Sequence, residues 1–176
     1  MTKVINLFGG SGVGKSTTAA HLFAEMKYRG FHVELVREYV KAWAWQGIEV
    51  GPFDQIYLLG KQSQYESILY GKVDYVITDS PLLLCPMYEH YYSGKELIAP
   101  AAFNFIEDAR SRGVEHLNFV LKREFAFDAR GRYETPEDCA KIDNAIHDFL
   151  KKYDVPYTEI SGEGIKRVEQ ILQSVV

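Results

Sequence analysis

The sequence is poor in cysteine, in long apolar runs and in surplus positive charge, and each shortage removes a class of protein. Its two cysteines, Cys85 and Cys139, are far apart in a chain of 176 residues and have neither metal-ligand nor redox spacing. That argues against a disulfide framework or a cysteine zinc site and leaves two thiols suited to an apolar interior in a reducing compartment. The first apolar stretch, Val4-Ile5-Asn6-Leu7-Phe8, is too short for the core of a secretory signal. No stretch approaches the roughly 20 apolar residues that cross a bilayer, so no membrane partner is expected. Lys and Arg number 20 against 24 Asp and Glu, a formal charge of −4. A general nucleic-acid binder needs the opposite balance to neutralise phosphates, although a net charge leaves room for a local basic groove. Internal repeats, low-complexity tracts and interdomain linkers are also missing.

What is present is a globular composition, 47% apolar and 25% charged, of a length that suits one domain over residues 1–176. Apolar runs of strand length alternate with segments of helical period, the pattern of βαβ units around a parallel sheet. Strands are expected at Lys3–Phe8, His32–Val36, Tyr75–Thr78, His116–Leu121 and Tyr157–Ile160, each short and apolar, as strands covered on both faces are. The fold class is therefore α/β, a three-layer sandwich of about five parallel strands with helices on both faces. Ala19, Leu22, Phe23 and Met26 share one face of a first helix that Gly30 should stop near Arg29. Ile142, Ala145, Ile146, Phe149 and Leu150 stripe a later helix, and Ile165, Val168, Ile171, Leu172 and Val175 the last. The polar segment 124–136 reads as an exposed loop or lid.

Directly after the first strand stands Gly9-Gly10-Ser11-Gly12-Val13-Gly14-Lys15-Ser16, a complete G-x-x-x-x-G-K-S that opens the first helix. Glycines let successive backbone N–H groups curl inward onto phosphate oxygens, and the helix N-terminus adds its positive end. Gly12, Val13, Gly14, Lys15, Ser16 and Thr17 are thus expected to bind the phosphates of a nucleoside triphosphate. Lys15 reaches the β- and γ-phosphates, Ser16 offers a hydroxyl to Mg²⁺, and Thr17 lies by the α-phosphate. A second metal-binding residue is expected at the end of a neighbouring strand, where Tyr75-Val76-Ile77-Thr78-Asp79 places Asp79. A helix N-cap is the plainer use of an Asp after a strand.

Three further features bear on the acceptor. Arg37-Glu38 follows the second strand, with a carboxylate able to take a hydroxyl proton and a guanidinium able to hold an anion; a surface ion pair is the alternative. Trp43, Trp45, Gln55, Gln62, Gln64 and Tyr65 form an aromatic and amide-rich set, the chemistry of a nucleoside pocket, in which rings stack and amides read a base edge. Helical spacing places Gln55 and Gln62, and Tyr65 with them, near one side of their helix, the alternative being that half of the set is simply packing. Lys122-Arg123 and Arg130-Gly131-Arg132 could close over transferring phosphate and stabilise its charge, the alternative being a solvated basic loop.

On these residues the chain resembles the P-loop nucleoside and nucleotide kinases, including the thymidylate kinase group and the ribosylnicotinamide kinase domain, and looks most like small bacteriophage members. The resemblance rests on Gly9–Ser16, Arg37-Glu38, Thr78-Asp79-Ser80, Arg130-Gly131-Arg132 with the following Ile142-Asp143, and Ser161-Gly162. It implies a kinase with a lid of the nucleoside-monophosphate-kinase kind, using ATP and Mg²⁺. Catalytic roles would fall to Lys15, Glu38, Asp79, Arg130 and Arg132, and acceptor binding to Arg37, Trp43, Gln62, Tyr65 and Arg123. The expected acceptor is a small nucleoside or nucleotide; the hydroxymethyl group of a modified uracil in phage DNA is a further candidate, as is a homodimeric assembly. The expected location is the cytoplasm, that of the host for a viral protein. Thymidylate and deoxynucleoside kinases usually carry Arg after the third-strand acid, where this chain has Ser80-Pro81. A switch or ATPase acting through a protein partner is the competing class, and the chain lacks both a guanine-reading N-K-x-D and an obvious water-positioning Gln after Asp79.

Overall fold

The computed structural model describes residues 1–51, 53–124 and 135–176. Five strands form one sheet in the order β2-β3-β1-β4-β5: β1 Thr2–Phe8, β2 Val33–Val36, β3 Tyr75–Thr78, β4 Val114–Leu121 and β5 Thr158–Ile160. Every neighbouring pair is parallel. The expected strands therefore all form, β3 with the expected bounds and the other four with only their first residue displaced by one or two positions, and the α/β three-layer architecture holds.

Alternation along each strand explains the layers, since successive side chains leave a sheet on opposite faces. Ile5 and Leu7 of β1, Ile77 of β3 and Phe119 and Leu121 of β4 join one core cluster. There they meet Ala19, Leu22 and Met26 of α1 (Lys15–Tyr28) and Val168, Ile171 and Leu172 of α7 (Ile165–Val175). Ile165 is the exception in the expected stripe; it is the first residue of α7 and stays exposed. Phe8 and Val120 point the other way. That second layer is built by α3 (Asp54–Ser67), α4 (Leu84–Ser93), α5 (Ala99–Ser111) and α6 (Pro136–Lys152). A short helix, α2 (Lys41–Gln46), precedes α3.

Both cysteines are buried, Cys85 in α4 and Cys139 in α6. Of the expected lid, residues 125–134, including Arg130 and Arg132, lie outside the described residues. Its last two residues are helical in function. Thr135 is the N-cap of α6, its hydroxyl accepting from the Asp138 N–H at 3.2 Å, and Pro136 begins the helix. Proline suits that position because the first-turn N–H it lacks would have no intrahelical partner. Among the described residues no helix is long and apolar enough to cross a membrane.

Candidate functional site

The loop between β1 and α1 has the backbone of a phosphate cradle. Gly9, Gly12 and Gly14 have φ of 141°, 80° and 94°, in the region that glycine reaches without a Cβ penalty. A Cβ on Gly9 would meet Val13 Cγ1 at 2.6 Å, and one on Gly10 would meet Asp143 Oδ1 at 2.8 Å. Helix α1 begins after Gly14 with no side-chain cap, so its first-turn N–H groups are not spent on a capping oxygen. Lys15 folds along the loop, Nζ donating to the carbonyls of Gly9 at 2.6 Å and Gly10 at 3.1 Å.

Two remote residues hold this loop in shape. Gly10 N–H donates to Asp143 Oδ1 at 2.7 Å, and Arg123 grips the same carboxylate, Nε to Oδ2 at 2.6 Å. On the other side Arg167, only 1% exposed, donates to the carbonyls of Val13 and Gly162 at 2.7 Å each and also to that of Lys122. A buried guanidinium is tolerable because these carbonyls satisfy its donors. Arg167 thus ties the phosphate loop to the ends of β4 and β5. No sequence motif signals this, because Arg167 and Val13 are 154 positions apart.

The strand ends beside the loop are also joined. Asp79 is 4% exposed, and its Oδ1 accepts the Glu38 N–H at 2.9 Å, so the residue after β3 positions the one that follows β2. It caps no helix; α4 begins beyond it, with Leu83 at the N-cap. Glu38 lines a cavity of about 490 Å³. This cavity is lined by the phosphate loop, Ser11, Gly12 and Gly14 to Thr17, and also by Glu38, Gln55, Gln62, Ser80 and Tyr88.

The other expected site residues are distributed as follows. Gln55 and Gln62 share the buried face of α3 and reach the cavity, whereas Gln64 and Tyr65 are turned outward. Trp43 stacks on Tyr57 with ring centroids 5.8 Å apart and packs edge-on against Tyr39, which does line the cavity. Tyr65 meets Tyr39 from another side. Trp45 and Arg37 are exposed, and neither is in the cavity wall. Lys122 pairs with Glu159 at 2.7 Å, and Arg123 is engaged with Asp143 behind the phosphate loop. Tyr39, Lys41, Glu49 and Tyr88 line the cavity without having been distinguishable in the sequence, since nothing in their spacing differs from ordinary surface or core residues.

Behind Gln62 lies a buried polar layer. Gln62 Nε2 donates to Thr78 Oγ1 at 3.0 Å, and that oxygen also accepts the Ser80 N–H at 3.1 Å. In register with Thr78 are Asn6 of β1 and Asn118 of β4, and Asn6 Nδ2 donates to Asn118 Oδ1 at 3.0 Å. One turn beyond Gln62, Glu66 is fully buried. Burial pushes its carboxyl up to about 8, against smaller opposing effects of Tyr70 and Gln62. Loss of water likewise lowers His116 to about 4 and raises the Cys85 thiol to about 12.

Mg²⁺ keeps several waters and takes only one or two protein oxygens beside those of phosphate. The Ser16 hydroxyl, in the cavity wall, and the Asp79 carboxylate are of the required hard-oxygen type. Gly9, Gly12 and Gly14 curl the loop at positive φ, and α1 opens without a side-chain cap, which leaves first-turn N–H groups for phosphate oxygens. The site's residues thus fit a magnesium-bound triphosphate.

Comparison with known proteins agrees with this geometry. The NadR protein in complex with NR superposes with a TM-score of 0.75 at 17% identity, over 99% of this chain and 50% of that one. The chain therefore spans half the length of that protein. Deoxyadenosine kinase from M. mycoides, with products bound, gives 0.59 at 17% identity, covering 97% of each chain. The Mycobacterium tuberculosis APS kinase CysC, in complex with AMPPNP and APS, gives 0.56 at 13%, over 98% and 96%. No curated protein matches the sequence. The fold is that of the P-loop nucleoside and nucleotide kinases. The model of an AAA-domain family matches residues 4–167, nearly the whole chain, and the chain belongs to that family.

Proposed function

We propose that the protein is an ATP- and Mg²⁺-dependent phosphotransferase acting on a hydroxyl or phosphate of a nucleoside, nucleotide or modified nucleobase. The observation that carries this reading is a cavity lined both by the phosphate loop and by Glu38, Gln55, Gln62 and Tyr88. A triphosphate in the loop would present its γ-phosphoryl group toward a base-sized pocket with a carboxylate at its edge. Two structures of similar fold hold such molecules: NR in one, the products dCMP and dCDP in the other.

In the reaction, Glu38 takes the proton of the acceptor hydroxyl as its oxygen bonds to the γ-phosphorus. The bond from that phosphorus to the β,γ-bridging oxygen breaks, and ADP leaves. Lys15 and the loop N–H groups hold the β- and γ-phosphates, and Arg130 and Arg132 supply further positive charge to the γ-oxygens. Ser16 and Asp79 would hold Mg²⁺, which when bound neutralises the charge building on those oxygens. Asp79 has a second task, since its bond to the Glu38 N–H sets where the base stands. Gln55 and Gln62 offer amide groups to a base edge, and Tyr39, backed by Trp43, offers a ring face.

Transfer of labelled γ-phosphate from MgATP to a panel of nucleosides, monophosphates, ribosylnicotinamide and hydroxymethyluracil-containing DNA tests the reading. A labelled acceptor names the substrate class. Slow hydrolysis indifferent to every acceptor would replace the kinase with a nucleotide-driven switch.

A further inference from the structure

We infer that Arg167 is a positioning residue of the phosphate site: by donating to the Val13 carbonyl from behind the loop, it turns the Gly14 N–H toward the triphosphate and strengthens it as a donor. The inference rests on the proposed function only in taking the ligand of the loop to be a nucleotide. How the loop peptides are held is a property of the chain.

The Val13 carbonyl and the Gly14 N–H belong to one peptide unit. That unit is trans, no cis bond occurring among the described residues, so the two groups point in opposite directions. Arg167 Nη1 donates to the carbonyl at 2.7 Å, from a side chain that is buried and does not line the cavity. Gly14 does line the cavity. Its N–H is turned away from Arg167 and has no hydrogen-bond partner among the described residues. A charged donor on the carbonyl polarises the peptide and makes the N–H at its other end a stronger donor.

The tie on the opposite side of the loop has the same geometry. Gly10 N–H donates to Asp143 Oδ1 at 2.7 Å, and the carbonyl of that peptide unit, on Gly9, accepts from Lys15 Nζ at 2.6 Å. An anion outside the loop there presents a carbonyl within it. By the same rule a cation outside presents an N–H.

Packing does not call for a charge at this position. Val168, Ile171, Leu172 and Val175 already bury the apolar face of α7. An apolar residue would fill the Arg167 site without the desolvation cost of a guanidinium. What the guanidinium adds is direction: Nε and Nη2 fix it on the carbonyls of Gly162 and Lys122, which leaves Nη1 aimed at Val13.

NMR of the full chain, isotopically labelled at valine carbonyl carbons and glycine nitrogens, tests this without turnover. The labelling selects Val-Gly pairs, of which the sequence has two, Val13-Gly14 and Val50-Gly51. Loss of one signal in Gly51→Ala identifies the other as Gly14. Addition of MgATP to the wild-type chain should move the Gly14 signal. In nucleotide-free Arg167→Met, which fills much of the same space without the donors, that signal should leave its wild-type position while Gly51 keeps its own. Calorimetry on this variant should show MgATP bound at least about tenfold more weakly, the order of one charge-assisted hydrogen bond. Arg167→Lys, which restores a charged donor, should recover part of both. A Gly14 signal indifferent to MgATP in the wild-type chain would overturn the assignment, whether or not the variants fold. So would unchanged affinity in Arg167→Met, or displacement of Gly14 and Gly51 together, the mark of a general loosening. Phosphoryl transfer with a silent Gly14 would keep the kinase and remove this role for Arg167; a responsive Gly14 with transfer to no acceptor would do the reverse.

Discussion

At the residue scale the two glutamates of the acceptor side are set by opposite environments. Glu38 stands at the cavity edge, its backbone anchored by Asp79. If it is the base, Glu38→Gln should lower kcat by about 10²–10⁴ and leave ATP affinity nearly unchanged; an unaltered kcat would remove it from the mechanism. Glu66 is buried and holds its proton to about pH 8, against 4.5 in the unfolded chain. Between those values the folded state carries the extra proton, so this contribution to stability falls as pH rises and levels off above the window. Glu66→Gln abolishes the effect. Its stability relative to wild type, read from urea denaturation, should rise by about 1.4 kcal/mol per pH unit within the window. A difference independent of pH would mean that Glu66 ionises normally.

At the element scale the phosphate loop is a segment whose shape is imposed from outside. Its glycines permit the curl, and Asp143 of α6 and Arg167 of α7 hold it there. Gly10→Ala brings a methyl group within 2.8 Å of Asp143 Oδ1 and within 3.1 Å of the backbone carbonyl of Cys139. Loop and helix must then separate. ATP affinity, measured by calorimetry, should fall by at least about tenfold, the factor that 1.4 kcal/mol represents. Retained affinity would show that the tie to α6 is dispensable. Here the limits of legibility are physical. A G-x-x-x-x-G-K-S motif carries its own geometry in eight consecutive residues, whereas the Gly10 to Asp143 bond joins positions 133 apart and leaves no periodic trace. The same holds for α4 and α5, whose helical stripes were less evident than those of α1, α6 and α7. Each is interrupted by local features: α4 contains Pro86 near its start, and α5 opens on Ala99-Pro100.

At the scale of the whole molecule, the strand order places β1, which leads into the phosphate loop, between β3 and β4. Asp79 after β3 and Arg123 after β4 therefore emerge on either side of it, and Glu38 follows the strand beyond β3. A ligand bound among these ends links most of the chain, so MgATP at about 100 times its Kd should stabilise the fold by about 2.7 kcal/mol. Thermal denaturation should show the rise in Tm. Lys15→Ala, which removes the cation from the loop, should abolish most of it; an equal rise in the variant would place the nucleotide elsewhere.

The sequence by itself determined the five strands, the helices α1, α6 and α7 and the phosphate loop. Alternation of period 2, apolar stripes of period 3.6 and a glycine motif are all local, and local patterns survive in a linear string. Only the tertiary structure decided which of the aromatic and amide residues around α3 share a cavity. It turned Gln55 and Gln62 inward and Tyr65 outward, and put Tyr39 in the wall with Trp43 behind it. It also gave Arg123 to Asp143 rather than to the cavity wall. Such choices depend on how a helix is rotated against the sheet and on which strand ends meet, quantities set by packing between distant segments, and no spacing within a single segment records them.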